Sequence, residues 1–255
     1  MSAVTRIPPA LVFAVLLLAA WETYCRLAQV SPLVLPPPSG VMRALVVERA
    51  EILRHAVSTI AVAALGFALS VSFACAASVA LHFVPWLRRG LMPLLVASQT
   101  VPLVALAPLM ILWFGFGLLP KVLLVILVTF FPILVSLLSG YARAPRAYVD
   151  LLTSMGAGRG RVFRRVILPV ARPSFFAGLR ISATYAIVAT IFAEYAGARR
   201  GIGIYILTAK NNFRADLVLA GVVVSAVLTL CLLGALHLAD RLTARRFRVG
   251  ADAAD

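Results

Sequence analysis

The chain has 255 residues, 62% of them hydrophobic and only 13% charged, with a mean hydropathy of +1.01 and a net charge of +15. A soluble domain of this length needs far more polar surface, so the composition excludes one and indicates an all-α integral membrane protein. On so apolar a background the positive charge reads as basic inner-side loops rather than a nucleic-acid footprint, and no nucleic acid is expected as a partner.

About 20 mostly apolar residues are needed to cross a bilayer as a helix. Six stretches meet that length, at roughly 9–29, 56–84, 91–114, 118–141, 174–197 and 216–238. The first follows a single basic residue, Arg6, and lacks a clean cleavage site, so it reads as an uncleaved span and not as a signal peptide. Cys25, Cys75 and Cys231 lie in apolar stretches without CxxC spacing and read as small hydrophobes. Glu22 and Arg26 stand one turn apart and are expected to pair along the first helix.

Between the first two spans, "PPPSGVMRALVVERAEILRHAV" opens with a stiff Pro36–Pro38 entry and offers Ser39 as an N-cap. Val41, Leu45, Val46, Ile52 and Leu53 recur near helical spacing against Arg43, Glu48, Arg49, Glu51 and Arg54. Two readings stay open: an amphipathic helix on the outer interface, or a polar extension of the second span. "WFGFGLLPK" makes the connection from the third span to the fourth short and Gly-rich, so the pair is compatible with a hairpin only partly exposed to water. Pro93, Pro102, Pro108 and Pro132 lie in or beside spans, where prolines mark kinks.

With the N-terminus inside, the larger share of Lys and Arg falls on inner segments: Arg6, Arg88, Arg89, the 143–173 segment, and Arg241, Arg245, Arg246 and Arg248. The bias places both termini in the cytoplasm. The same orientation puts Glu194 near the outer end of the fifth span. There it either pairs with Arg199 or Arg200 or helps to hold an outer gate, the ion pair being the favoured reading. Arg180 and His82 fall near inner span ends, where snorkelling and partial solvation account for them.

The 143–173 segment is the longest inner loop, and its chemistry predicts two short helices with a joint. Pro145 suits a first helical position, and Val149, Leu152 and Met155 share one face of the first helix. Gly156 stops it, because only glycine enters a left-handed cap without steric cost, and Ala157 continues the turn. The second helix puts Val162, Phe163, Val166 and Ile167 on one side, with Arg159, Arg161, Arg164 and Arg165 elsewhere on its circumference. Pro169 is expected to close this element before the fifth span.

Within this loop Asp150, Leu151, Leu152, then Gly156, then Val166, Leu168 and Pro169 follow a spacing that resembles the cytoplasmic motif of ABC importer permeases. That motif has the form E-A-A, three residues, Gly, nine residues, I-x-L-P. The Gly-to-Pro interval matches without a gap; Asp replaces Glu, and two leucines replace two alanines. Trp21 to Val41, Gln99 to Val122, Phe130 to Tyr141 and Phe192 to Ile206 resemble the nitrate/taurine/sulfonate branch of these permeases.

The resemblance implies a single permease domain over 1–255 with a type I importer fold, one half of a homodimeric pathway in a bacterial inner membrane. It implies cytoplasmic ATPase subunits that bind the ATP, an extracytoplasmic solute-binding protein, and no cofactor or enzyme activity in this chain. It also implies an ATPase-coupling loop carried by Asp150, Leu151, Leu152, Gly156, Ala157, Arg161, Phe163, Arg164, Val166, Leu168 and Pro169, its apolar side inserted into the ATPase. No G-x-x-x-x-G-K-[ST] motif occurs in the chain, in keeping with a separate motor. An ion-coupled secondary transporter is the alternative, but it needs a midplane cluster of Asp, Glu or His that the spans do not supply. No catalytic constellation is visible either: the three histidines are far apart in sequence and no metal site is indicated.

Overall fold

The computed structural model describes residues 9–248, and every regular element among them is helical. The chain runs α1 (Pro9–Leu27), α2 (Pro38–Val47), α3 (Arg49–Phe83), α4 (Pro85–Ser98), α5 (Leu103–Phe114), α6 (Leu118–Ala142) and α7 (Arg146–Ser154). Then follow α8 (Arg159–Val162), a π-helical turn (Phe163–Ile167), α9 (Leu168–Tyr195), α10 (Ile202–Asn211) and α11 (Ala215–Arg248). Arg6, and the side chains of Arg245, Arg246 and Arg248 that contribute to the charge bias, lie outside the described residues.

Among the described residues four helices are long and apolar enough to cross a membrane: α3, α6, the stretch Arg159–Tyr195 and α11. The expected third span is not one straight helix. It is α4 and α5, bent by 102° at a short break, and this pair brings the number to five if it crosses as one unit. The bend falls at Gln99–Pro102, where Pro102 has no N–H to continue the ladder and instead precedes the first turn of α5. The expectation of six spans counts α1 as well, a 19-residue helix outside this set.

Three long helices form the centre: α3, α6 and α9. Lipid tails are as apolar as leucine, so helices in a bilayer gain little from hiding Leu and Val from them; close backbone approach and interhelical hydrogen bonds decide the packing. The contact faces are built accordingly. On α9, Ala171, Gly178, Ser182, Ala183, Ala186 and Ala189 are buried in turn-by-turn succession. A Cβ added at Gly178 would stand 2.6 Å from the Ser136 Cβ on α6, and one at Gly140 would stand 2.9 Å from the Ala171 Cβ. Ser182 donates to the Thr129 carbonyl across the same seam at 2.8 Å, and Ser78 on α3 meets the Tyr141 hydroxyl of α6 at 3.0 Å. Phe67, Val125, Ile133, Leu134 and Leu179 fill the space between the seams.

A second cluster lies toward the other end of α9, where Val41, Ala44, Ile52 and Ala56 pack against Ile202, Tyr205, Ile206 and Ala220. Hence α2 packs on α11 as a helix of its own, whereas the stretch from Arg49 onward is the polar extension of α3 that the second reading expected. Glu48 separates α2 from α3. Ser39 does not cap α2; Pro37 occupies that position. Ser39 instead gives its hydroxyl and its N–H to Glu22, at 2.8 and 3.0 Å. The same carboxylate holds Arg26 at 2.7 Å, as the one-turn spacing predicts, so one side chain ties α1 to α2.

The Gly178 contact yields a direct test. Gly178→Val forces α6 and α9 apart and is expected to destabilise the protein by about 1–3 kcal/mol, the usual cost of overpacking. Gly90→Ala, where an added Cβ meets nothing within 4 Å, is expected to be neutral. Thermal unfolding of both variants in detergent measures the difference.

Candidate functional site

Two places on the molecule hold the residues that the sequence singles out, and α9 connects them. At its N-terminal side is the loop motif; near its C-terminal end is Glu194. Arg159–Tyr195 is a continuous 37-residue helical stretch, so Phe163 and Glu194 are about 45 Å apart by helical rise.

In the loop, α7 begins after Pro145 and ends at Met155. Gly156 takes φ +80°, its N–H reaches the Thr153 carbonyl at 2.9 Å, and the Ala157 N–H reaches the Leu152 carbonyl at 2.9 Å. This pair of bonds is the Schellman closure, and it explains the glycine: a side chain at this φ is strained whatever the surrounding space. Asp150 and Leu151 are exposed on α7 and Leu152 is half-buried. Arg161, Arg164, Leu168 and Pro169 are exposed on the following arm, and Val166 is half-buried. Leu151 and Leu152 face Val166 and Pro169 across a groove of about 310 Å³ that Tyr148, Arg165 and Val170 complete. The fold thus brings the two ends of the motif together.

Two expectations about this loop are overturned. Pro169 does not end the second helix; it sits in the first turn of α9, and the helix runs through it. Proline lacks an N–H and crowds the carbonyl four residues back, and the preceding turn has widened to a π turn in which the Leu168 N–H bonds the Phe163 carbonyl. Nor does the apolar side of the second helix face outward. Val162 and Phe163 are buried. Phe163 is the hub of an aromatic cluster, its ring centroid 5.0 Å from His82, 5.3 Å from Phe83 and 5.2 Å from Tyr141. The Arg159 guanidinium lies over Phe83 at 5.8 Å. The large apolar side chains that project furthest from the loop are Tyr148, Leu151 and Met155 of the α7 turn, the last 74% exposed, ahead of Leu168 and Val170 on the arm.

At the other end Glu194 is fully buried. The expected ion pair with Arg199 or Arg200 is absent among the described residues. The carboxylate instead accepts the Thr59 hydroxyl at 2.8 Å and the Gly203 N–H at 2.8 Å, and the Thr59 oxygen accepts the Ile202 N–H at 2.8 Å. These amides are the first orphan donors of α10, whose own N-cap, Gly201, has no side chain to offer. Cap groups on α9 and α3 therefore do what a local Ser or Asp does elsewhere, and the carboxylate also sits at the positive end of the α10 dipole. Gly201 is required twice over: it has φ +140°, and a Cβ there would lie 2.1 Å from the Glu194 carboxyl carbon. His55 Nδ1 adds a contact to the Gly201 backbone at 2.9–3.0 Å.

Asp240 on α11 escaped the sequence reading. It takes Arg172 at 2.7 Å and Arg180 at 3.3 Å, so Arg180 is held by a carboxylate rather than snorkelling freely. A lone acid in the apolar run "CLLGALHLADRL" was the available signal. Among the described residues no group of three or more His, Cys, Asp or Glu is placed to hold a metal ion.

Comparison with known proteins decides the family. Residues 66–248 match the model of the binding-protein-dependent transport system inner membrane component. The chain belongs to that family. It is similar to the formylaminopyrimidine transport permease protein ThiX of Halalkalibacterium halodurans, 35% identical over 85% of this chain and 86% of that one. It is also similar to the riboflavin transport system permease protein RibX of Chloroflexus aurantiacus, 34% identical over 90% of this chain and 87% of the relative. The taurine transport system permease protein TauC of Escherichia coli is 34% identical over 89% and 86%. This permease is therefore an ABC importer subunit of the taurine/sulfonate type and not an enzyme; the ATPase is a separate subunit.

The shared cap makes a stability prediction. Thr59→Val removes the hydroxyl at constant shape and leaves the Ile202 N–H and part of the carboxylate unpaired, a loss of about 1–3 kcal/mol. Ser58→Ala, which removes only an exposed 3.3 Å bond to the Arg200 carbonyl, is expected to be mild. Urea or thermal unfolding in detergent compares the two.

Proposed function

We propose that the permease forms half of the translocation pathway of an ATP-driven importer, as a homodimer, with the 146–169 loop facing the cytoplasm and docking on the ATPase. A solute-binding protein delivers the substrate from outside, and both termini lie in the cytoplasm. The observation that carries this reading is the exposed apolar face of α7, Tyr148, Leu151 and Met155, on a capped element that leads without a break into α9. Motion of α7 reaches the spans through the Phe163 cluster and the helix behind it. In this reading α7 is the docking helix, while the second short helix of the expectation belongs to the permease core. ATP is bound by the partner, and Asp150, Leu151, Leu152, Gly156 and Ala157 shape the docking face. Arg161, Phe163, Arg164, Val166, Leu168 and Pro169 form the arm that carries it. Glu194 acts at the far end of α9 as a structural clamp on α10, in place of a charged gate.

The substrate is a small solute of the nitrate, sulfonate/taurine or vitamin-precursor class. The names of the relatives, formylaminopyrimidine, taurine and riboflavin transport permeases, support that breadth. The ion-coupled alternative has no midplane acid cluster behind it.

Three experiments test the proposal. Gly156→Val strains the left-handed cap by about 1 kcal/mol or more. It is expected to leave membrane insertion intact while lowering ATPase co-purification and substrate-stimulated hydrolysis, and Leu151→Asp is expected to do the same. Normal transport by both variants would remove the coupling role. Separately, single cysteines at Arg161 and Lys210 in a cysteine-free background are expected to label from the cytoplasmic and the external side respectively, and the mass of the extracted complex is expected to contain two permease chains. Labelling of Arg161→Cys from outside would invert the topology and end the docking argument.

A further inference from the structure

Two concavities meet at the loop end of the molecule. One is an apolar cleft of about 610 Å³ between α3, α6 and α9, with Cys75, Val79, Leu137 and Phe175 on its walls. Cys75 lies eight residues before the end of α3, so the cleft reaches about 12 Å back along the spans. The other is a basic concavity of Gly160, Arg161, Arg164 and Arg165, also about 610 Å³. Arg164 lines both. Arg172, which also borders the cleft, is already held by Asp240 and Thr243. Among the described residues the ion-paired arginines are Arg26, Arg54, Arg172, Arg180 and Arg214; the three of the basic concavity are not in that set.

We propose that these two concavities together bind one anionic phospholipid, its phosphate on Arg161, Arg164 and Arg165 and one acyl chain in the cleft below. This rests on the cytoplasmic placement of the loop end given above. Guanidinium groups match phosphate oxygens in paired hydrogen bonds, and basic pockets beside spans on the cytoplasmic side suit anionic headgroups. Only an amphiphile satisfies both halves at once. Acidic side chains of an ATPase answer the arginines but leave the apolar cleft unfilled, and the face that α7 offers to a protein lies elsewhere. A second permease copy brings the same arginines to the contact, and like charges repel. Because Phe163 and Leu168 line the cleft as well, the lipid would brace the arm against α3 and α6.

The test uses the full permease–ATPase complex, delipidated in detergent and titrated with phosphatidylglycerol or phosphatidylcholine while native mass spectrometry counts retained lipid. The wild type is expected to retain phosphatidylglycerol and shed phosphatidylcholine. Arg164→Gln is expected to weaken phosphatidylglycerol about fivefold, and replacing all three arginines by Gln about a hundredfold. Dihexanoyl phosphatidylglycerol, whose chains are too short to fill the cleft, is expected to bind more weakly than the dioleoyl lipid with no mutation at all. Equal retention of the two headgroups would overturn the proposal, as would displacement by inorganic phosphate alone, equal binding of short and long chains, or an unchanged triple variant. A triple variant that keeps the lipid and sheds the ATPase would overturn it too, assigning the arginines to the protein partner. Phosphatidylglycerol selectivity in a preparation from which the ATPase never co-purifies would sustain the lipid site and count against the docking role proposed for the loop.

Discussion

The structure depends on how closely α6 and α9 approach each other. In a bilayer there is no water to drive two leucine-rich helices together, so association must come from short backbone separation and from polar groups that have no other partner. Gly140, Gly178 and the alanines of α9 supply the first, and Ser182 on the Thr129 carbonyl supplies the second. Everything else follows from α9 being fixed in this seam. It is the most buried of the long helices, while α11 is the least, and its two ends protrude far enough to organise what lies beyond the spans.

Each end is organised by a different interaction. At the loop end the fixing is by aromatic packing: Phe163 sits among His82, Phe83 and Tyr141, which belong to α3 and α6. At the other end it is by hydrogen bonding: Glu194 caps α10 from nine residues away and Thr59 from 143 residues away. The widened turn at Phe163–Ile167 lies at the loop end, beside the aromatic cluster.

Much of this was legible beforehand. Four of the six expected spans, those of α3, α6, α9 and α11, followed from hydropathy because a bilayer core imposes its length on any helix that crosses it, and Gly156 was legible because a left-handed residue between two amphipathic runs demands glycine. What was not legible depended on partners distant in sequence. Periodicity put Phe163 on an apolar face but did not say whether that face looked toward the permease or away from it. Pro169 read as a terminator because local rules treat proline as one; inside a helix supported by α3 and α6, a widened turn absorbs the missing bond instead. Glu194 read as half of an ion pair because two arginines follow it closely. Nothing local said that the Gly203 amide and the Thr59 hydroxyl needed the carboxylate more. The Gly201-x-Gly203 spacing was the one clue, and its meaning becomes clear only once Thr59 is beside it.

These assignments change the meaning of charge in so apolar a chain. Three acids near span ends each tie one helix to another: Glu22 holds Ser39 as well as Arg26, Glu194 holds α10, and Asp240 holds Arg172 and Arg180. Burying a carboxylate is costly unless donors surround it, and here the donors come from a different helix each time, so each acid works as a fastener between elements. The exposed arginines of the 159–165 turn are of the other kind, since their counter-charge has to come from outside the described chain. Among the described residues these three acids fasten helix to helix, whereas Arg161, Arg164 and Arg165 have no acidic partner.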